Sequence, residues 1–389
     1  MKPANQADVL IIGGGIMGAS TAFFLRQRGV SVILLERWLV GQQASGVNFG
    51  NTRRQGRFLE QLPLANRAHD VWTRMPELLG EDAELLRAGH LRCAYRQDAA
   101  DKMEVYAREA REYGLELELL SKAALRSRYP FLGPEVIAGS LSAQDGHANP
   151  RLAAPAFGRG AARAGAHIYE NTEVTSLAKD GEDFRAICAD GREFRAPVML
   201  IASGAWASKM SAHFDEPVPL VVRGPQMAVT EPAPYVIGPS LGVAGGTLEE
   251  TLYFRQVKRG NIVMGGCGRG PSTTDPRYAP VLPEHTLTQF RQMARLAPVV
   301  TKLNIIRVWS GVEGYMPDDL PVMGPSATTA GLHYAFGFCG AGFQVGPGVG
   351  ETMAELIATG ATSTPIAPFS ITRFGSQLVA AEPHEDAEP

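Results

Sequence analysis

The chain has 389 residues, 45% of them hydrophobic and 20% charged, with a net charge of -3 at pH 7. That length supports two cores of ordinary size or one large discontinuous fold, and the near-neutral balance argues against a nucleic-acid partner or an anionic membrane surface. No apolar run approaches the ~18 residues of a transmembrane helix. No basic segment with a long apolar stretch and cleavage site opens the chain, and the four cysteines contain no C-x-x-C, so a disulfide framework or metal site is not expected. A reducing cytoplasm is the expected location.

In chain order, residues 8–36 come first and are the most informative. Val9, Leu10, Ile11 and Ile12 are a short apolar run expected to be a buried strand. Gly13-Gly14-Gly15-Ile16-Met17-Gly18 supplies G-x-G-x-x-G, followed by a helix over 19–28 with Ile16, Ala19, Ala22 and Phe23 on one face. Gly29 ends the helix, 30–35 is a second apolar strand, and Glu36 and Arg37 follow it. Gly13 serves the tight turn, Gly15 the close approach of backbone to a pyrophosphate, and Gly18 the packing of helix on strand. The helix N-terminus attracts phosphate, and Glu36 can accept from ribose hydroxyls. The unit is read as dinucleotide-binding, with FAD and NAD both open.

A polar, glycine-rich loop over 41–57 follows, of a kind that usually binds something. Residues 60–128 are expected to be mostly helical, with a short strand at 89–95. A helix is expected from Pro150 to 163, extended chain over 165–175, a hairpin over 186–194 and an apolar strand at 198–202. Strands are expected at 226–230, 251–256 and 261–265, a helix at 287–295, and a last helix at 351–357 ended by Gly360. The acidic tail, 376–389, is expected to be disordered.

Nucleotide-type sequence thus opens the chain and returns near Val198 and Gly337. The expected fold class is α/β (α+β): a discontinuous Rossmann-like domain with an inserted mixed or antiparallel-sheet domain. The expected boundaries are 1–88, 142–216 and 305–375 for the cofactor domain, with 89–141 and 217–304 for the substrate domain.

Four segments in order resemble the FAD-dependent D-amino-acid oxidase and glycine/sarcosine oxidase-like (DAO) family. They are 13–36, the run Ser45-Gly46-Val47-Asn48-Phe49-Gly50-Asn51-Thr52-Arg53, the run Ile201-Ala202-Ser203-Gly204-Ala205-Trp206, and a C-terminal group. That group joins Trp309-Ser310-Gly311, Pro317-Asp318 and Pro321 to Pro325 with Gly337-Phe338-Cys339-Gly340-Ala341-Gly342-Phe343. The look is nearest to flavin subunits of opine oxidase, D-hydroxyproline dehydrogenase and hydrogen cyanide synthase.

The resemblance implies non-covalent FAD, since residues 307–318 hold no cysteine. Besides the first unit, the implied cofactor contacts are Ala44, Ser45, Gly46, Asn48, Phe49, Gly50 and Asn51 in the loop. Val174, Ala202, Gly204, Trp206 and Gly311 follow, then Gly340, Ala341, Gly342, Phe343 and Gln344. It also implies hydride transfer from a carbon beside an amine to flavin N5, giving an imine that hydrolyses. The implied partners are an amine or amino-acid substrate and either oxygen or an electron-accepting protein, in a hetero- or homo-oligomer.

Here the chain departs from its relatives. Gly50-Asn51-Thr52-Arg53 matches half of G-D-T-R-x-x-R, but Gly56 stands where the second arginine falls, with Arg54 and Arg57 close by. Glu313 stands where glycine-oxidase-like members carry a carboxylate-binding arginine. Arg53, Glu313, Tyr253, Arg255 and Tyr315 are the candidate substrate contacts; Tyr253 and Arg255 share a strand face by the period-two rule. His147 and His333 are read as structural, and Cys339 as a small space-filling thiol. The alternatives are a non-catalytic or electron-transfer FAD subunit and an NAD-dependent Rossmann dehydrogenase.

Overall fold

A computed structural model describes residues 3, 5–244 and 247–379. A six-stranded sheet runs in the order Val322–Pro325, Leu332–Phe336, Val198–Ile201, Val9–Ile12, Val32–Leu35 and His167–Tyr169. All neighbours are parallel except the first pair. The central strands Val9–Ile12 and Val32–Leu35, buried on both faces, read as continuous apolar runs. Their alternate residues serve two cores. Val9, Ile11, Val32 and Leu34 face one, with the helices Ile16–Gln27, Leu62–Leu79 and Pro150–Arg163. Leu10, Ile12, Ile33 and Leu35 face the other, which includes the three-stranded sheet of Val174–Asp180, Asp183–Cys188 and Glu193–Ala196.

A nine-stranded mixed sheet gathers the interleaved segments, with its own core of Leu91, Phe254, Met264 and Met293. Ile305–Ser310 and Glu313–Tyr315 pair with Val221–Pro232 in this sheet. Residues 305–315, expected with the cofactor domain, therefore pair with the other sheet, and we propose that the division between domains follows the sheets and falls after 315.

Two further expectations are corrected. The last helix runs over Gly342–Thr359, so Gly346, Gly348 and Gly350 lie inside it instead of ahead of it. They are there for packing: a Cβ on Gly346 would lie 2.6 Å from Ile16 Cγ2, and one on Gly348 would lie 2.7 Å from the Ala68 nitrogen. Glycine's low helix propensity is outweighed by burial between two neighbouring helices. The stretch 60–128 also contains an extra edge strand, Glu118–Ser121. Of the tail, residues 376–379 form a further 3-10 turn beyond a kink at Gly375, and 380–389 lie outside the described residues.

His147 is buried beside Arg255, in a turn bridged to Asn51 and Leu86. Its Nδ1 sits 3.0 Å from Arg255 Nη1, so the ring accepts and is neutral. Burial first, and then the Arg255 charge, push it down to about 3. The unfolded chain therefore binds the extra proton more readily. Stability should fall as pH drops from 6.5 towards 3, by up to about 5 kcal/mol at the acid limit. Denaturant titrations of His147→Gln across that window should show a flatter decline; an unchanged slope would remove His147 from the acid response.

Candidate active site

At the carboxyl end of Val9–Ile12 the chain turns at Gly13, with φ +107. A Cβ there would meet the Ala202 carbonyl oxygen at 2.6 Å, so only glycine passes between the two strand ends. Gly15 caps the helix Ile16–Gln27 in extended conformation, and Ser45 Oγ accepts from the Ile16 N–H at 2.9 Å. Glu36 accepts from the Gly14 and Trp38 N–H groups at 2.6 and 2.9 Å. Burial raises its carboxyl above the ordinary range, and those two bonds oppose the shift.

From this turn a cavity of about 1960 Å³ runs between the two sheets. That exceeds the ~300–1,000 Å³ usual for a single small ligand. Gly13, Gly15, Ile16, Met17, Glu36 and Arg37 line its first end, with Val174, Ala202, Gly204 and Trp206 alongside. Trp38, absent from the expected set, stacks edge-on to Trp206 at 5.4 Å under the Arg37 guanidinium. Further in, Ala44, Ser45, Asn48, Phe49, Gly50 and Asn51 line the cavity. The loop is shaped by a one-turn helix, Ala44–Val47, and by Asn48, which bonds the Ala44 and Ser45 carbonyls and the Gly50 N–H.

Gly340, Ala341, Gly342, Phe343 and Gln344 line the cavity at the N-terminus of Gly342–Thr359, and Gly311 lines it beside Val47 of the loop. Gly18 and Gly46 are not on the wall. Gly18 lies tight against the Gly13 carbonyl and Gly46 against the Gly41 carbonyl, so both act through packing.

Of the candidate substrate contacts, Arg53, Tyr253, Glu313 and Tyr315 line the cavity and Arg255 does not. Arg255 donates to the Phe49 carbonyl at 2.8 Å and faces His147. Tyr253 and Arg255 do share a strand face, both lying against Phe49, but Arg255 spends its donors on the loop carbonyl and on His147, so it anchors the loop. Tyr315 donates to Glu313 Oε2 at 2.6 Å, and the Gly340 N–H also reaches Glu313. Desolvation raises the Glu313 carboxyl, opposed by Tyr315, by the Arg269 charge and by that N–H. Arg269 stacks on the Tyr315 ring at 4.2 Å.

Sequence reading missed Arg57 as a cavity residue, along with His90, Arg92 and Arg269. His90 and Arg92 alternate along the strand His90–Ala94, a polar face that the period-two rule could have flagged. Arg54, the neighbour of Arg53, is engaged with Asp145 at 3.0 Å. His333 stays off the cavity wall, as does His147. Cys339 reaches the wall, but its thiol is pushed up to about 12 by burial.

The cavity suits a flavin dinucleotide. Ser203 Oγ, Asn51 Oδ1 and Gln344 Oε1 are buried on its wall without a hydrogen-bond partner, polar atoms that a bound cofactor can satisfy. Glu36→Ala would remove the acceptor and orphan the Gly14 N–H. FAD should then bind about tenfold to a hundredfold more weakly, read by equilibrium dialysis of the flavin; undiminished retention would rule out the ribose contact.

The fold and cavity define a flavin-dependent oxidoreductase. The family model for FAD dependent oxidoreductases (DAO) matches residues 8–356, and the chain belongs to that family. Glycine oxidase of Geobacillus kaustophilus (strain HTA426) is 29% identical over 383 residues, 95% of this chain and 97% of that enzyme. An opine oxidase subunit of Rhizobium meliloti is 25% identical over 387 residues, covering 96% and 99% of the two chains. The crystal structure of L-proline dehydrogenase from P. horikoshii superposes with a TM-score of 0.88 at 25% identity, covering 96% of this chain and 99% of that one. The chain is thus an FAD-dependent oxidoreductase enzyme of the amine and amino-acid oxidase family. Among the described residues no helix is long and apolar enough to cross a membrane, and no His/Cys/Asp/Glu group is suited to a metal ion.

Proposed function

We propose that the chain oxidises the C–N bond of an amine or amino acid. A C–H beside a neutral amine leaves as hydride, the nitrogen lone pair closes the C=N bond, and the N–H proton departs. Water then adds to the imine and expels the amine, leaving a carbonyl compound. FAD, when bound, supplies the two-electron acceptor, and oxygen or a partner protein takes the electrons onward. The opine oxidase relative is named as one subunit of its enzyme, which supports a partner protein as one acceptor.

The observation that carries this reading is Glu313. It is an acid desolvated inside the cofactor cavity, held by Tyr315 and by the Gly340 N–H two residues before Gly342–Thr359. A carboxylate there holds a substrate ammonium and accepts its proton, delivering the neutral amine that releases hydride. Tyr253 closes the space beside it, its ring 4.8 Å from Phe49. Arg53 takes the acid end of the substrate. Steady-state turnover of an acyclic substrate should release carbonyl compound and amine in equal amounts, and that of a cyclic one should give the cyclic imine or its ring-opened amino carbonyl; substrate loss with neither imine nor carbonyl product would refute C–N oxidation.

A further inference from the structure

The half of the cavity nearest the nine-stranded sheet carries more positive charge than one carboxylate requires. Arg53 and Arg57 come from the loop, and Arg92 from the strand His90–Ala94. The Arg53 and Arg92 guanidinium groups converge at Gly56, where a Cβ would collide with Arg92 Nη1 and stand 3.4 Å from Arg53 Nη1, and Arg57 joins them through Arg53, to whose carbonyl its Nε donates. The missing side chain at Gly56, which breaks the familiar arginine motif, is what admits Arg92.

None of the three pairs with a carboxylate among the described residues. Asp145, whose charge reaches Arg53 and Arg57, is bound to Arg54 and to the Arg54 and Gln55 N–H groups. His90 adjoins the cluster but is held neutral by burial and by the Arg53 and Arg92 charges. Arg57 is 6% exposed. Its Nε and Nη2 donate to the Arg53 and Ala341 carbonyls, while Nη1 is buried without a partner. Burial first, and then the Arg53 charge, hold Arg57 down to about 9 and Arg92 to about 10, so both stand charged beside Arg53 near neutral pH. An unmatched buried charge is costly, and a guanidinium fork fits a carboxylate with two parallel bonds.

The amine-holding acid is close at hand. Arg57 bonds the Ala341 carbonyl while Glu313 takes the Gly340 N–H, so the two ends of the site adjoin one dipeptide.

We propose that Arg53, Arg57 and Arg92 together form a dianion pocket, and that the substrate is an amine bearing two carboxylates. The inference rests on the amine-oxidation reading for its Glu313 end. One carboxylate engages Arg53 and Arg57; the second extends to Arg92.

Calorimetric titration of the purified holoenzyme with succinate and with butyrate tests this, because the pair matches in chain length and differs in the second carboxylate. Succinate should bind at least tenfold more tightly, and Arg92→Gln should erase the difference. Equal binding by the unmodified enzyme overturns the proposal, as does a preference that survives Arg92→Gln. The two readings fail separately. Flavin reduced by amines in a protein that binds the two acids equally overturns the dianion pocket alone. A clear succinate preference in a protein that no amine reduces upholds the pocket and overturns the amine reading.

Discussion

Gly18→Val should purify without flavin. Even a Cβ at this position would overlap the Gly13 carbonyl oxygen and approach Gly13 C at 3.1 Å and Ile11 Cγ2 at 3.2 Å. The two nearest obstructing atoms are Gly13 backbone, so no rotamer change relieves the clash. The helix Ile16–Gln27 must move off its strand, and the Gly13–Gly15 turn must open. Overpacking of this kind costs about 3 kcal/mol or more, and here the cost falls on the turn built to face a pyrophosphate. The ratio of visible to protein absorbance reports flavin content, and thermal unfolding reports the fold. A folded variant with one flavin per chain would show that the turn tolerates bulk and that its glycines do not set cofactor binding.

Glu313→Gln has the second large expected effect, on catalysis instead of folding. The amide retains the size of the side chain and can still accept from Tyr315, so the pocket should persist. What disappears is a base. Removing one of this kind lowers kcat/KM by about 10²–10⁴. The sign of the pH effect follows from the raised carboxyl. Only the ionised acid accepts a proton, so kcat/KM in the unmodified enzyme should rise with pH through that elevated value. In Glu313→Gln this limb should vanish, leaving the titration of the free amine. A variant that keeps both the rate and the limb would place Glu313 in a purely structural role.

What was legible in the sequence was local. Val9 to Glu36 shows its strand, turn, helix and strand because each piece is set by near neighbours, and the structure places their ends within three residues, the helix starting at Ile16 instead of 19. The helix Pro150–Arg163 was equally readable: Asn149 caps it by accepting from the Arg151 N–H, and Pro150 opens it. The glycines of Gly342–Thr359 misled because their reason lies in other helices, at Ile16, Ser20 and Ala68. Glu118–Ser121 is an edge strand with only Leu120 buried, so it has no alternating signal.

The site divides the same way. Glu313, singled out by its motif position, and Tyr315, singled out as a polar contact, both line the cavity. Arg57 and Arg92 are 35 positions apart by number, and only the docking of the strand His90–Ala94 against the loop joins them. Arg255 failed for the complementary reason: its pairing with Tyr253 assumed a flat strand face open to one space, whereas the loop carbonyl at Phe49 occupies the Arg255 side.

The most direct test of the central claim is anaerobic mixing of the purified holoenzyme with D-amino acids, N-methyl amino acids, cyclic imino acids, opines and simple amines, watching the flavin band near ~450 nm. Bleaching by one class, with recovery on adding oxygen or an electron-accepting protein, is the predicted result. A fully flavinated enzyme that none of these amines bleaches would contradict it.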